Sequence, residues 1–128
     1  MPDTEKKRQH VLFIDDNDCV LEVTALKLER LGYAVTTTNN PEHALSLFEA
    51  APEKFDLVIT DQCMPVLTGL ELAQRLCEIS PNVLIILITG LNDTLPTDVL
   101  SHAGIAACLP KTASKQELAE LIERVING

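Results

Sequence analysis

A chain of 128 residues that is 46% hydrophobic makes one globular domain, long enough to bury roughly two-thirds of its unfolded surface. Its net charge of −9 argues against nucleic acid, whose phosphates need clustered Lys and Arg, and suits cations or basic protein surfaces instead. No apolar segment approaches the ~20 residues of a membrane span. The four cysteines, Cys19, Cys63, Cys77 and Cys108, form no C-x-x-C pair and read as free thiols of a reducing cytosol, so a cytoplasmic location is expected.

In chain order, residues 1–9 are polar and charged, which predicts a disordered tail or expression remnant ahead of a domain over 10–128. His10 leads into a first strand over Val11–Ile14. Asp15, Asp16, Asn17 and Asp18 then crowd a turn in which Asn17 or Asp18 caps a helix. That helix is expected to reach Leu31, with Val20, Thr24, Leu28 and Leu31 facing inward and Gly32 as its left-handed stop. Tyr33–Thr38 reads as a β-branched strand near a sheet edge, and Asn40-Pro41 as the start of a second helix to Ala50.

Leu57-Val-Ile-Thr-Asp61 is an uninterrupted apolar run ending in a carboxylate, as in a strand buried on both faces. Thr68-Gly-Leu-Glu71 is a capping box opening a helix to Ile79, and Pro81 separates it from a strand over Val83–Ile88. A short helix is expected within Asn92–Ala103, where only Val99, Leu100 and Ala103 mark an apolar face. A fifth strand over Ile105–Leu109 follows. Ser114-x-x-Glu117 then opens a last helix marked by Leu118, Leu121, Ile122, Val125 and Ile126. Strand and helix thus alternate five times, which demands an α/β doubly wound parallel sheet with right-handed crossovers.

In such a sheet ligands bind outside the carboxyl ends of the strands. Asp15, Asp16, Asp61, Thr89 and Lys111 all fall at those ends. Carboxylates gathered there repel and raise one another's pKa unless a cation neutralises them, and a set of hard oxygens suits Mg²⁺ rather than zinc. A carboxylate beside Mg²⁺ is able to attack a phosphoryl group and form an aspartyl phosphate, with Lys111 pairing a phosphoryl oxygen and Thr89 donating a hydroxyl hydrogen bond.

The set Asp15-Asp16, Asp61 with Met64-Pro65 and Gly69, Thr89-Gly90 and Lys111 resembles the receiver domain of two-component response regulators, over Val11 to Asn127 and in the family's order. The resemblance implies a flavodoxin-like (βα)5 fold with strand order 2-1-3-4-5. It also implies Asp61 as phosphoacceptor, and a Mg²⁺ site of Asp16, Asp15 partly through water, Asp61 and the backbone carbonyl of Cys63. Thr89 would be the switch hydroxyl and Lys111 the phosphate-pairing lysine. The implied activity is phosphorelay signalling rather than enzymatic turnover, beyond self-phosphorylation and autodephosphorylation. The implied partner is a histidine kinase or histidine phosphotransfer protein, with dimerisation through the fourth-to-fifth helix face also allowed. Thr68-Gly-Leu-Glu-Leu-Ala73 is similar to receivers at the end of hybrid sensor histidine kinases.

Two positions depart from the family pattern. Cys108 stands where an aromatic switch residue is usual, and Thr112 stands where a cis proline follows the lysine. A cis Lys111–Thr112 bond would cost roughly 3–4 kcal/mol, so a trans bond is expected. Two alternatives have different chemistry. One is a degenerate receiver that binds protein without being phosphorylated. The other reads Asp16-Asn-Asp18-Cys-Val20 as the motif of a haloacid-dehalogenase-like phosphohydrolase, with Asp16 as nucleophile and Asp18 as acid/base.

Overall fold

The computed structural model describes residues 9–62, 64, 66–90 and 96–127. The expected tail lies outside these residues save for Gln9, whose carbonyl accepts a hydrogen bond from Ala34 N (2.9 Å). Five strands and five α-helices alternate: β1 (His10–Ile14), α1 (Asp18–Arg30), β2 (Ala34–Thr38), α2 (Pro41–Ala50), β3 (Leu57–Asp61), α3 (Gly69–Ile79), β4 (Ile85–Thr89), α4 (Thr97–His102), β5 (Ala107–Pro110) and α5 (Lys115–Asn127). All pairings are parallel and the order is β2-β1-β3-β4-β5. The expected fold class, strand order and edge position of β2 hold.

The two-residue pleat sorts the apolar runs into two cores. Val11, Phe13, Leu57, Ile59 and Ile86 face α1 and α5, meeting Leu21, Leu28, Leu118, Leu121 and Ile122. Leu12, Ile14, Val58, Ile85 and Leu87 face the other way onto Ala44, Phe48, Leu72, Ala73 and Leu76 of α2 and α3. Continuous aliphatic strands are thus required by a sheet covered on both sides.

Local signals set the helix ends. Asn17 Oδ1 accepts from Cys19 N and Val20 N, and Asn40 Oδ1 accepts from Glu42 N (2.9 Å). Thr68 and Glu71 form the reciprocal capping box at α3, while Ser114 and Glu117 exchange the equivalent bonds at α5 (3.1 and 2.8 Å). Gly32, at φ +101°, ends α1 by donating to Glu29 O while Tyr33 N donates to Leu28 O, a Schellman closure that only glycine enters without strain.

Four expectations need correction. The inward stripe of α1 is Leu21 and Leu28, with Leu31 partly buried, whereas Val20 is exposed. Tyr33 is buried but belongs to the turn closing α1, so β2 begins at Ala34. β4 begins at Ile85 rather than Val83, because its pairing with β3 starts at Val58↔Ile85. β5 begins at Ala107 rather than Ile105, paired with Ile86. α4, expected to be short within 92–103, spans Thr97–His102, and residues 92–95 of that expectation lie outside the described residues.

Candidate functional site

The parity that builds the α1/α5 core also delivers the site. Asp15 extends the alternation of Val11 and Phe13, Asp61 that of Leu57 and Ile59, and Lys111 that of Ala107 and Leu109. Three parallel strands, β1 and its neighbour β3 with β5 beyond β4, therefore present chemistry-bearing side chains at one end, on one face. Asp15, Asp16 and Asp61 each place a carboxylate oxygen within 4.8 Å of the others. Asp61 is 1% exposed and Asp15 3%, while Asp16 is open to solvent.

The two buried carboxylates are held differently. Asp15 Oδ1 accepts from Asn17 N (2.9 Å), which ties it into the turn before α1, and Asp15 N donates to Thr38 O. Among the described residues neither oxygen of Asp61 has a partner in a hydrogen bond of good geometry, and Lys111 Nζ stands 3.3 Å from its Oδ2 as an ion-pair partner. Burial pushes the Asp15 pKa up to about 6, opposed by the Asn17 backbone hydrogen bond and raised further by the charge of Asp61. Burial also raises the Asp61 pKa, with the Lys111 charge pulling the other way and Asp16 adding to the rise. A charged carboxylate in the interior is expensive unless it is paired, and the single Lys111 ion pair leaves the three neighbouring carboxylates with more negative charge than it neutralises. Three hard carboxylate oxygens so close together fit Mg²⁺.

The remaining expected residues are placed as follows. Lys111 lies just past β5, its side chain half exposed and its backbone N–H donating to Thr89 O (2.9 Å). No peptide bond among the described residues is cis, and the loop after Lys111 turns through Ala113 N donating to Pro110 O (3.0 Å). Thr89 is buried at the end of β4, one residue beyond the Asp61↔Ile88 pair, and its parity is that of Ile85 and Leu87 on the opposite face. Cys108 is half-buried on that same opposite face, in register with Leu87, and burial raises its thiol pKa. Cys63, the expected carbonyl ligand, lies outside the described residues. Asp18, the acid/base of the phosphohydrolase alternative, instead accepts from Asn39 Nδ2 (2.9 Å) in the first turn of α1.

One residue of the site carried no signal in the sequence. Gln62 N donates to Ile88 O (2.9 Å), its carbonyl accepts from Gly69 N (3.1 Å), and its side-chain Oε1 accepts from Leu70 N (2.9 Å). It links the strand that carries Asp61 to the start of α3. A glutamine after a carboxylate belongs to no motif, and only the backbone donors it meets reveal its work.

Comparison with known proteins gives the same picture as the geometry. A family model described as response regulator receiver domain matches residues 11–123. The chain is 34% identical over 119 residues to the DNA-binding transcriptional regulator NtrC of Azospirillum brasilense, covering 92% of this chain and 24% of that protein. The chain spans about half or less of the length of the curated relatives it matches first. The crystal structure of a response regulator receiver domain protein from Clostridium thermocellum superposes with a TM-score of 0.88 at 29% identity, covering 93% of this chain and 94% of that one. The chemotaxis protein CheY4 of Vibrio cholerae gives 0.83 at 25% identity, covering 93% and 99%. The haloacid-dehalogenase alternative finds no favour in these matches. The chain belongs to the response regulator receiver domain family, the signalling module of two-component systems.

Proposed function

We propose that Asp61 is the phosphoacceptor of this receiver and that Asp15, Asp16 and Asp61, with the Cys63 carbonyl, hold Mg²⁺ beside it. The observation that carries this reading is the state of Asp61: both oxygens buried, neither satisfied by a hydrogen bond among the described residues, one ion-paired to Lys111 at 3.3 Å. Its lone pairs are free to attack, and the lysine favours the ionised form that attacks. An Asp61 oxygen forms a bond to phosphorus as the P–N bond of a phosphohistidine breaks, the imidazole leaving with that electron pair and taking up a proton. When bound, Mg²⁺ supplies neutralising charge to the phosphoryl oxygens. Lys111 pairs with a further phosphoryl oxygen through a charge-assisted hydrogen bond.

Thr89 then acts as the switch. Its parity belongs to the α3/α4 face, so drawing its hydroxyl toward a phosphoryl group on Asp61 biases the packing around α4 and β5. That bias is a population shift between two arrangements rather than a new fold. Cys108 sits on the same face with no ring to swing, so the coupling runs through backbone and aliphatic packing. The partner is a histidine kinase or phosphotransfer protein, with self-association through the α4–α5 face as a further interaction. No described helix is long and apolar enough to cross a membrane, and we place the domain in the cytoplasm, as Cys19, Cys77 and Cys108 are free thiols. Residues 10–128 form the receiver, with 1–9 as a tail.

Acetyl phosphate with Mg²⁺, read by intact mass, tests this. Wild type gains the mass of one phosphoryl group, and Asp61→Asn or a chelator abolishes the gain. An adduct that survives in Asp61→Asn refutes the assignment. Binding of Mg²⁺ with no adduct from acetyl phosphate or a phosphohistidine donor marks a degenerate module instead.

A further inference from the structure

We infer that Gln62 is a positioning residue for phosphoryl transfer, acting through the first turn of α3; this rests on Asp61 being the phosphoacceptor. A helix begins with four backbone N–H groups that have no intrahelical acceptor. At α3 all four are satisfied. Thr68 N donates to Glu71 Oε1, Gly69 N to the Gln62 carbonyl, Leu70 N to Gln62 Oε1 and Glu71 N to Thr68 Oγ1. Half of the cap therefore comes from a residue seven and eight positions upstream, directly after Asp61 and outside the Thr68–Glu71 box.

The placement has a mechanical consequence. Through its own N–H on Ile88 O, Gln62 is also fixed to β4, so one residue pins three elements at the point where the Asp61 strand ends. The approach it enforces is close. A Cβ on Gly69 would lie 2.6 Å from Asp61 O and 3.1 Å from Gln62 Cα, so the helix start bears directly on the backbone of the phosphoacceptor. Among the described residues the Asp61 carboxylate is met by the Lys111 ammonium, 3.3 Å from Oδ2 on a long, half-exposed side chain. The rest of its aim is set by the backbone that carries it, and that backbone is held by Gln62. Misplacing a reacting group by about 1 Å is enough to cost 10²-fold in rate.

Gln62→Met keeps the length of the side chain and removes the acceptor, whereas Gln62→Glu keeps an acceptor for Leu70 N. Phosphorylation by acetyl phosphate at saturating Mg²⁺ is timed by intact mass, with Leu70 amide exchange followed by NMR on the same samples. The expected result is phosphorylation at least fivefold slower in Gln62→Met, with faster exchange at Leu70. Gln62→Glu protects the amide and keeps the rate within about threefold of wild type. A residue that is only structural would lower the melting temperature and leave the rate of the folded fraction unchanged. Gln62→Met at the wild-type rate therefore overturns the inference. So does Gln62→Glu with a protected Leu70 amide and a slow rate, which decides the matter even where Gln62→Met does not fold. Failure of the wild type itself to take phosphate removes the Asp61 reading first, a result distinct from either.

Discussion

Gly69→Ala tests how tightly α3 is seated on the end of β3. Gly69 has no left-handed φ, so alanine brings no backbone strain there and the whole effect is one of space. The new Cβ would meet Leu87 Cδ1 at 2.5 Å, Asp61 O at 2.6 Å and Gln62 Cα at 3.1 Å. Leu87 is fully buried, and the other two atoms are backbone at the end of a strand paired on both sides. Overpacking of this kind costs about 1–3 kcal/mol, and the immobility of two of the three neighbours favours the upper half of that range. Removing a glycine from a helix returns up to about 1 kcal/mol, and less at the first position. The net loss is about 2 kcal/mol.

At about 2.1 cal/mol/K of unfolding entropy per residue, that loss lowers the Tm of a domain this size by roughly 7 °C. The assay is thermal and urea unfolding followed by circular dichroism, with an unchanged m-value as the sign that the native fold is retained. Gly32→Ala serves as the reverse control, having nothing within 4 Å and a φ of +101°, so it carries conformational cost without a clash. The two variants separate in the phosphorylation assay: Gly69→Ala displaces the Asp61 carbonyl and slows phosphate uptake, while Gly32→Ala leaves it unchanged. A Gly69→Ala protein with a Tm within about 2 °C of wild type would refute the reasoning, because a 2.6 Å contact with strand backbone cannot be relieved at so small a cost.

Two further outcomes are expected. Thr68→Ala removes the acceptor for Glu71 N and breaks the capping box, which lowers stability by about 1 kcal/mol; a shift in urea midpoint at constant m measures it. The second concerns pH. Asp15 has a folded pKa raised to about 6 from 3.8, so its contribution to stability is fully present below 3.8 and is lost as pH rises through about 6. In a chelator, Asp15→Asn therefore gains on wild type by roughly 1–2 kcal/mol between about pH 4 and pH 7, after discounting for residual solvent screening. Urea midpoints of both proteins check this, a gap that does not change with pH contradicts it, and Mg²⁺ at the upper pH reverses the ranking by stabilising only the protein with the full carboxylate set.

What the sequence made legible follows from which constraints are local. Five strands were readable because a sheet covered on both faces forces unbroken runs such as Leu57–Ile59 and Ile85–Ile88. Asn17, Asn40, Thr68 and Ser114 were readable as helix starts because capping is decided within four residues. The inward stripe of α1 was not readable. Val20, Leu21, Val23, Ala25, Leu26 and Leu28 place apolar side chains around most of the cylinder, and two stripes of period 3.6 fit them equally well. Packing in the core with Val11 and Phe13 of the sheet makes the choice, burying Leu21 and Leu28 and leaving Val23 and Leu26 about half exposed. Strand starts failed for a related reason: Val83, Leu84 and Ile105 are apolar enough for a strand, but pairing partners on β3 and β4 decide where the ladder begins.

The site divides along the same line. Asp15, Asp16, Asp61, Thr89 and Lys111 announce themselves by residue type at the ends of apolar runs, because a charged or polar group in such a place is costly and rarely idle. Gln62 does not, because its partners are backbone amides, and every residue but proline carries one. A sequence names the groups that do chemistry and is silent on those that hold them still. Yet the sparse pairing of Asp61, an ion pair with Lys111, makes the second class matter here. A carboxylate with three or four hydrogen bonds aims itself; one held by a single long side chain takes most of its direction from the peptide unit on either side. For Asp61 those units are fixed by the β1 and β4 ladders and by Gln62, whose grip on Ile88, Gly69 and Leu70 is the last constraint before the chain leaves the strand. The stability of the first turn of α3 and the rate at which Asp61 takes phosphate are therefore coupled quantities. A substitution that loosens that turn at Thr68, Gly69 or Gln62 should move both, with the largest effect on rate from the residue nearest the carboxylate.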